Sequence, residues 1–238
     1  MNIIDAVIII LFIVGVLGGI KRGAIRTTVS LVGTIGIFIL SYYLKNPLAN
    51  FFYEYLPFFS FGGYLKGIIV INILVYELIA FVSCFSILSI ILNIILKLSG
   101  IIEKILNMTI ILGAFSKIIG AVLGFLVAYV YIFIILFVLN QPFFNIKDLG
   151  NSKISSYMLN NTLVLSNVTS KATSTINEIV KLKDDYKNLS TEEYNYMALE
   201  IMLKNKIVNT NNVKTLINKD KLPIKNIDNL IEKYGGEK

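Results

Sequence analysis

Apolar positions dominate the first 139 residues in four long runs separated by short polar punctuation, and polar positions dominate afterwards. A membrane-crossing helix needs about 20 mostly apolar residues, because the hydrocarbon core is roughly 30 Å thick and a helix rises about 1.5 Å per residue. The runs are Ile3–Ile20, ending at Lys21-Arg22, and Thr27–Leu44, ending at Lys45-Asn46-Pro47. A third lies within Gly67–Leu96, and a fourth covers Ile118–Leu139 before Asn140-Gln141-Pro142. The pattern predicts an all-α, polytopic membrane protein. Four transmembrane helices occupy residues 1–139, and a helical, partly flexible soluble tail occupies residues 140–238.

Between the runs, residues 51–64 (FFYEYLPFFSFGGY) hold eight aromatics in fourteen. With no tryptophan in the chain, Tyr and Phe must supply any interfacial belt. The segment is expected to lie among lipid headgroups, with a ligand platform as the alternative. Residues 97–117 mix Lys97, Glu103, Lys104 and Lys117 with apolar residues and predict an interfacial amphipathic helix. In the tail, Ser190-Thr191-Glu192-Glu193 forms a capping box that opens a helix to about Lys206. Residues 226–234 predict a short helix stopped by Gly235-Gly236. Abundant Asn and Lys with sparse apolar residues predict a loosely packed appendage rather than a large core.

Charge divides the chain at the same place. Residues 1–139 hold eight Lys/Arg and four acids, against fourteen and eleven in the rest. The excess of +7 has no basic run behind it in the tail, so it predicts membrane topology and no nucleic acid. Asp5 stands where a cleaved signal peptide would carry positive charge, so the first run reads as a retained span. Lys21, Arg22, Arg26, Lys97, Lys104 and Lys117 would lie in the cytoplasm. Lys45, Lys66, Lys147 and Lys153 would lie outside with both termini. The chain has no histidine, which excludes Ser-His-Asp and Cys-His triads and imidazole metal ligands. Its single cysteine, Cys84, excludes an internal disulfide and a cysteine-based zinc site. The expectation is a protein that is not an enzyme and carries no cofactor.

Gly15, Gly19 and Gly23 recur every four residues on one helix face, and Gly120 and Gly124 repeat the spacing in the fourth run. Such faces let helix backbones approach closely, either within one chain or in a homo-oligomer. Among 20 lysines stand only two arginines, Arg22 and Arg26, one helical turn apart. They read as a positive-inside anchor or as planar guanidinium contacts to lipid phosphate or carbonyls. In the third run, Asn72, Tyr76, Ser83, Ser86 and Asn93 fall on one stripe at 100° per residue, whereas Glu77 and Cys84 lie elsewhere. Glu77 is therefore either an outer-interface residue or a functional acid. Cys84 reads as a small apolar residue.

The stretch Gly19-Ile20-Lys21-Arg22-Gly23-Ala24-Ile25-Arg26, continuing through Ser30 and Gly33, resembles the first cytoplasmic turn of the colicin V production protein (CvpA) family. Asn2 and Asp5 match that family's opening Asn-x-x-Asp. Gly120, Ala121 and Gly124 match its last span, and Ser152–Tyr157 with Leu163–Ser166 match the region beyond it. Gly18 and Thr27 depart from the family's Arg and Glu, so no Arg–Glu pair is carried over. The resemblance covers roughly residues 1–166. It implies a multi-pass cytoplasmic-membrane protein associated with toxin or bacteriocin production and envelope maintenance. Some relatives carry a serine protease after the last span, which a histidine-free tail excludes here. Expected partners are the lipid bilayer, export or envelope proteins and a second copy of the chain. The rival expectation is an oligomeric small secondary transporter or channel subunit.

Overall fold

The computed structural model describes residues 2–62, 66–106, 110–141, 144, 146–162, 165–186 and 189–235, the side chains of 98–106, 110–112, 147, 165–170 and 183–184 excepted. Every regular element among them is helical: α1 (Ile3–Tyr55), α2 (Ile71–Leu106), α3 (Ile110–Leu139), α4 (Lys147–Gly150), α5 (Lys153–Asn161), α6 (Leu165–Asp185), α7 (Thr191–Lys204), α8 (Thr210–Asn218) and α9 (Ile227–Gly235). Three are long and apolar enough to cross a membrane: α1, α2 over Ile71–Lys97 and α3 over Gly113–Leu139.

The first two apolar runs lie on either side of a kink in α1, where two helical stretches run together within Ile3–Tyr55. Its regular course fails at Gly23, with φ 77° and ψ 175°, a conformation open essentially to glycine alone. Such a break frees backbone groups that must find partners. Ser116 Oγ accepts the Ala24 N–H at 2.8 Å, and the buried Thr27 hydroxyl donates to the Gly23 carbonyl at 2.6 Å. Gly23 is therefore a joint as well as a small packing residue. Nor does Lys45-Asn46-Pro47 end the second run, because α1 continues through Pro47 to Tyr55. The expected interfacial helix at 97–117 is also absent as a separate element. α2 runs on through Leu106 and α3 begins at Ile110. Tyr64, Pro142, Leu163, Val164 and Gly236 lie outside the described residues.

The chain packs as two compact units: residues 1–43 with 82–166, and residues 44–81 with 167–238. In the first, the start of α1 lies antiparallel to α3. Ile8 packs with Ile132, Phe133 and Leu136, Phe12 stacks on Phe125 at 4.5 Å, and Ala24 meets Ser116. Between them come the glycines. A Cβ on Gly15 would lie 2.3 Å from Ala128 Cβ, and one on Gly19 would lie 2.0 Å from the Gly120 oxygen. Helix backbones touch there, as dispersion-driven packing in lipid requires.

In the second unit, the tail is not the loose appendage that its composition suggested. Ile176, Ile179 and Leu182 on α6, Leu199, Met202 and Leu203 on α7, Val213 and Leu216 on α8, and Ile227 and Leu230 on α9 are all buried. Each set recurs at helical spacing, and Tyr53, Val70, Ile73 and Tyr76 of residues 44–81 in the same unit are buried as well. Composition of the tail alone leaves those residues out. The capping box forms as expected: Ser190 Oγ accepts from Glu193 N at 3.2 Å, and Glu193 Oε2 accepts from Ser190 N at 2.9 Å. The Ser190 hydroxyl also donates to Glu193 Oε2 at 2.7 Å, and this bond, with that from the Ser190 amide, holds the Glu193 carboxyl below the usual carboxylate range.

Replacing Gly19 or Gly120 with Ala forces a methyl into backbone atoms. Overpacking of this kind typically costs about 1–3 kcal/mol. Both variants should unfold at lower temperature in detergent than the parent. Gly36→Ala should not, because its Cβ meets nothing within 4 Å. Equal unfolding temperatures for all three would contradict the close contact.

Candidate functional site

Three polar constellations sit in an otherwise apolar helical frame. The first is built on Asp5, 5% exposed at the start of α1. Its Oδ1 accepts from Ser152 Oγ at 2.6 Å and from the Ile154 amide at 3.1 Å. Its Oδ2 accepts from Asn2 N at 3.2 Å, and Asn2 Nδ2 donates to the Asp148 carbonyl at 2.6 Å. Ser152 Oγ in turn accepts from Ser155 N at 3.0 Å, capping α5. One carboxylate therefore fastens the amino-terminal end to the segment that follows α3, over an apolar cluster that includes Leu149 and Met158.

The second lies within residues 44–81 and the tail. Glu77 is 6% exposed, and Lys45 Nζ donates to its Oε2 at 2.5 Å. Asn212 Nδ2, on the tail helix α8, donates to its Oε1 at 3.1 Å. Glu77 is thus buried with both carboxylate oxygens engaged. Lys45 also donates to Asn46 Oδ1 at 3.3 Å. Around this pair the tail grips the end of α1. Lys221 Nζ donates to the carbonyls of Tyr53 and Leu56, the latter at 2.8 Å, and Lys219 pairs with Glu54 at 2.7 Å. A cation over the last carbonyls of a helix satisfies groups that the helix itself leaves open.

Asn72 and Tyr76 fasten the aromatic segment rather than lining a pathway. Asn72 accepts from Phe59 N at 2.7 Å and donates to Phe59 O at 3.1 Å, while the Tyr76 hydroxyl donates to the Pro57 carbonyl. Phe52, Tyr53, Phe58 and Phe59 surround the Tyr76 ring. The stripe drawn from periodicity is not one site: Ser86 is exposed, and Asn93 bonds back to the Ser89 carbonyl at 2.8 Å. Cys84 is a free, half-buried thiol.

The third holds Arg22 and Arg26, on either side of the Gly23 break. Arg22 Nε donates to the Gly18 carbonyl at 3.1 Å, and Arg26 Nε is buried with no hydrogen-bond partner. Sequence reasoning missed Asn195, Asn212, Lys221 and Ser116. Asn195, 2% exposed, donates to Gly67 O at 2.9 Å and accepts from Val70 N at 3.2 Å. Nothing in a tail rich in Asn and Lys sets Asn195, Asn212 and Lys221 apart, and their role is visible only once residues 44–81 are folded against them. Ser116 shows its role only through the Gly23 break.

Comparison with known protein families matches residues 4–163 to the family described as "Colicin V production protein". Among curated proteins, the chain is 30% identical over 168 residues to "Uncharacterized transmembrane protein YshB" of Bacillus subtilis (strain 168), covering 68% of this chain and 93% of that protein. No solved structure matches.

Removing one partner of a buried ion pair strands the other, typically at about 3–5 kcal/mol. Lys45→Met and Glu77→Gln, made singly, should each lower folded yield sharply. Made together they leave no buried charge, and the substituted glutamine can still accept from Asn212, so yield should recover. A double variant no better than the singles, measured by size-exclusion recovery in detergent, would contradict the pairing.

Proposed function

Because the chain belongs to the colicin V production protein family, we propose that it is a non-catalytic, multi-pass membrane scaffold supporting toxin production or export and envelope maintenance. The observation that carries this reading is the engagement of Glu77. Its two oxygens are occupied by Lys45 and Asn212, so a buried ion pair ties the tail helix α8 to the end of α1 and the start of α2. An element held in this way presents a fixed surface to export or envelope partners.

Four crossings, rather than three, are supported by parity. Asp5 at the start of α1 meets Ser152 and Ile154 after α3, so an even number of crossings separates them. The Gly23 break divides α1 into two segments, each long enough to span. In this reading both termini share one face, and the distribution of Lys and Arg supports that face being outside the cytoplasmic membrane.

The second reading is an oligomeric transporter or channel subunit. It is favoured by the same buried pair, since ionisable residues inside membranes mark ion pathways by default. The double variant Lys45→Met/Glu77→Gln separates the two. A scaffold lacking both charges still supports toxin export and envelope integrity in a deletion strain, whereas a transporter loses them. Loss of activity from a well-folded double variant, with loss of ion or proton flux in proteoliposomes, would overturn the scaffold.

Topology is tested in a Cys84→Ser background carrying single cysteines at Ser60, Ser116 or Ser190. An impermeant thiol reagent added to whole cells should label positions 60 and 190 and spare 116. Labelling at 116 alone would reverse the orientation.

A further inference from the structure

Arg22 and Arg26 take no part in the fastening described above, and their surroundings are unusual for half-buried cations. Arg22 folds back along its own helix, with Nε on the Gly18 carbonyl. A Cβ at Gly18 would stand 3.2 Å from Arg22 Nη2, so the absence of a side chain there gives the guanidinium its bed. Arg26 Nε is fully buried and unpartnered. Among the described residues no carboxylate pairs with either group, and the two positive charges act on each other unfavourably. Like charges near enough to act on each other, partly withdrawn from water, favour an anion that offsets their desolvation.

The guanidinium fork matches phosphate geometry in a way that ammonium does not. Around the same joint, Ile25, Val29, Phe115 and Ile118 are exposed apolar side chains, a surface suited to acyl chains rather than to water. We infer that Arg22 and Arg26 together bind the phosphate of an anionic phospholipid at the Gly23 joint, Gly18 giving the Arg22 guanidinium room to lie flat. The shared chemistry is a phosphate anion, and free phosphate is the other source of it. The site is independent of the scaffold proposal, because neither arginine touches Lys45, Glu77 or Asn212.

The test is equilibrium titration of the purified full chain in neutral detergent, read by native mass spectrometry. The probes are dioctanoyl phosphatidylglycerol, dioctanoyl phosphatidylcholine and inorganic phosphate. The parent should bind phosphatidylglycerol saturably and in preference to phosphatidylcholine. Arg22→Gln and Arg26→Gln should each weaken that binding on the order of tenfold, the loss expected for a charge-assisted hydrogen bond. Lys21→Gln removes the same charge from an exposed neighbour and should leave binding unchanged. Gly18→Leu, which displaces the Arg22 guanidinium without altering charge, should weaken it as well. Failure of inorganic phosphate to compete identifies the lipid as the source, and full competition identifies free phosphate at the same arginines. Equal binding of phosphatidylcholine, equal losses in Lys21→Gln, or unchanged binding in Arg26→Gln would overturn the site. Should Arg22→Gln fail to fold, Arg26→Gln against Lys21→Gln decides alone.

Discussion

Backbone contact between the first half of α1 and α3 is the constraint from which most of residues 1–43 and 82–166 follows. Lipid offers no hydrophobic preference for helix over acyl chain, so two apolar helices associate closely only where their side chains let the backbones meet. Gly15, Gly19, Gly120 and Gly124 supply that approach. Once they touch in antiparallel register, the two ends of the contact are determined. At one end Asp5 reaches Ser152 and Ile154; at the other Ala24 reaches Ser116, and Gly23 turns the chain out of its helix. A carboxylate inside an apolar frame is tolerable because hydroxyl and amide donors converge on it.

Residues 44–81 and 167–238 solve a different problem. Here amphipathic helices of modest apolar content share a core with the ends of two very apolar helices, and polar side chains set the register. Asn72 acts as a backbone substitute against Phe59, Asn195 against Gly67 and Val70, and Lys221 closes the carbonyl end of α1. The Lys45–Glu77 pair is the costly member of this set. Its desolvation is offset only while the attraction between the charges and the Asn212 bond both persist.

Hydropathy alone revealed the helical membrane class, because an uninterrupted run of about twenty apolar residues is the length a helix needs to cross the hydrocarbon core. Periodicity also disclosed the glycine face and the Ser190 capping box, both set by local spacing. Three features were hidden. Gly23 carries the spacing of a packing residue, yet it is a joint, since dihedral angles are not written in a one-letter pattern. Glu77 stood apart from the polar stripe because its partners, Lys45 and Asn212, are 32 and 135 residues away in sequence. The tail reads as too polar to pack because its apolar complement belongs to another part of the chain.

Asp5 is fastened to the segment beyond α3 through Ser152 and Ile154, which in the proposed four-crossing topology puts both on one face of the membrane. Asp5→Cys and Ser152→Cys in a Cys84→Ser background bring two thiols close together, because the parent side chains meet with Oδ1 and Oγ 2.6 Å apart. After mild oxidation in native membranes, both thiols should resist tagging with a maleimide-polyethylene glycol, and reduction should restore two tags per chain. Two tags before reduction, with one cysteine reached from each face of the membrane, would contradict the account.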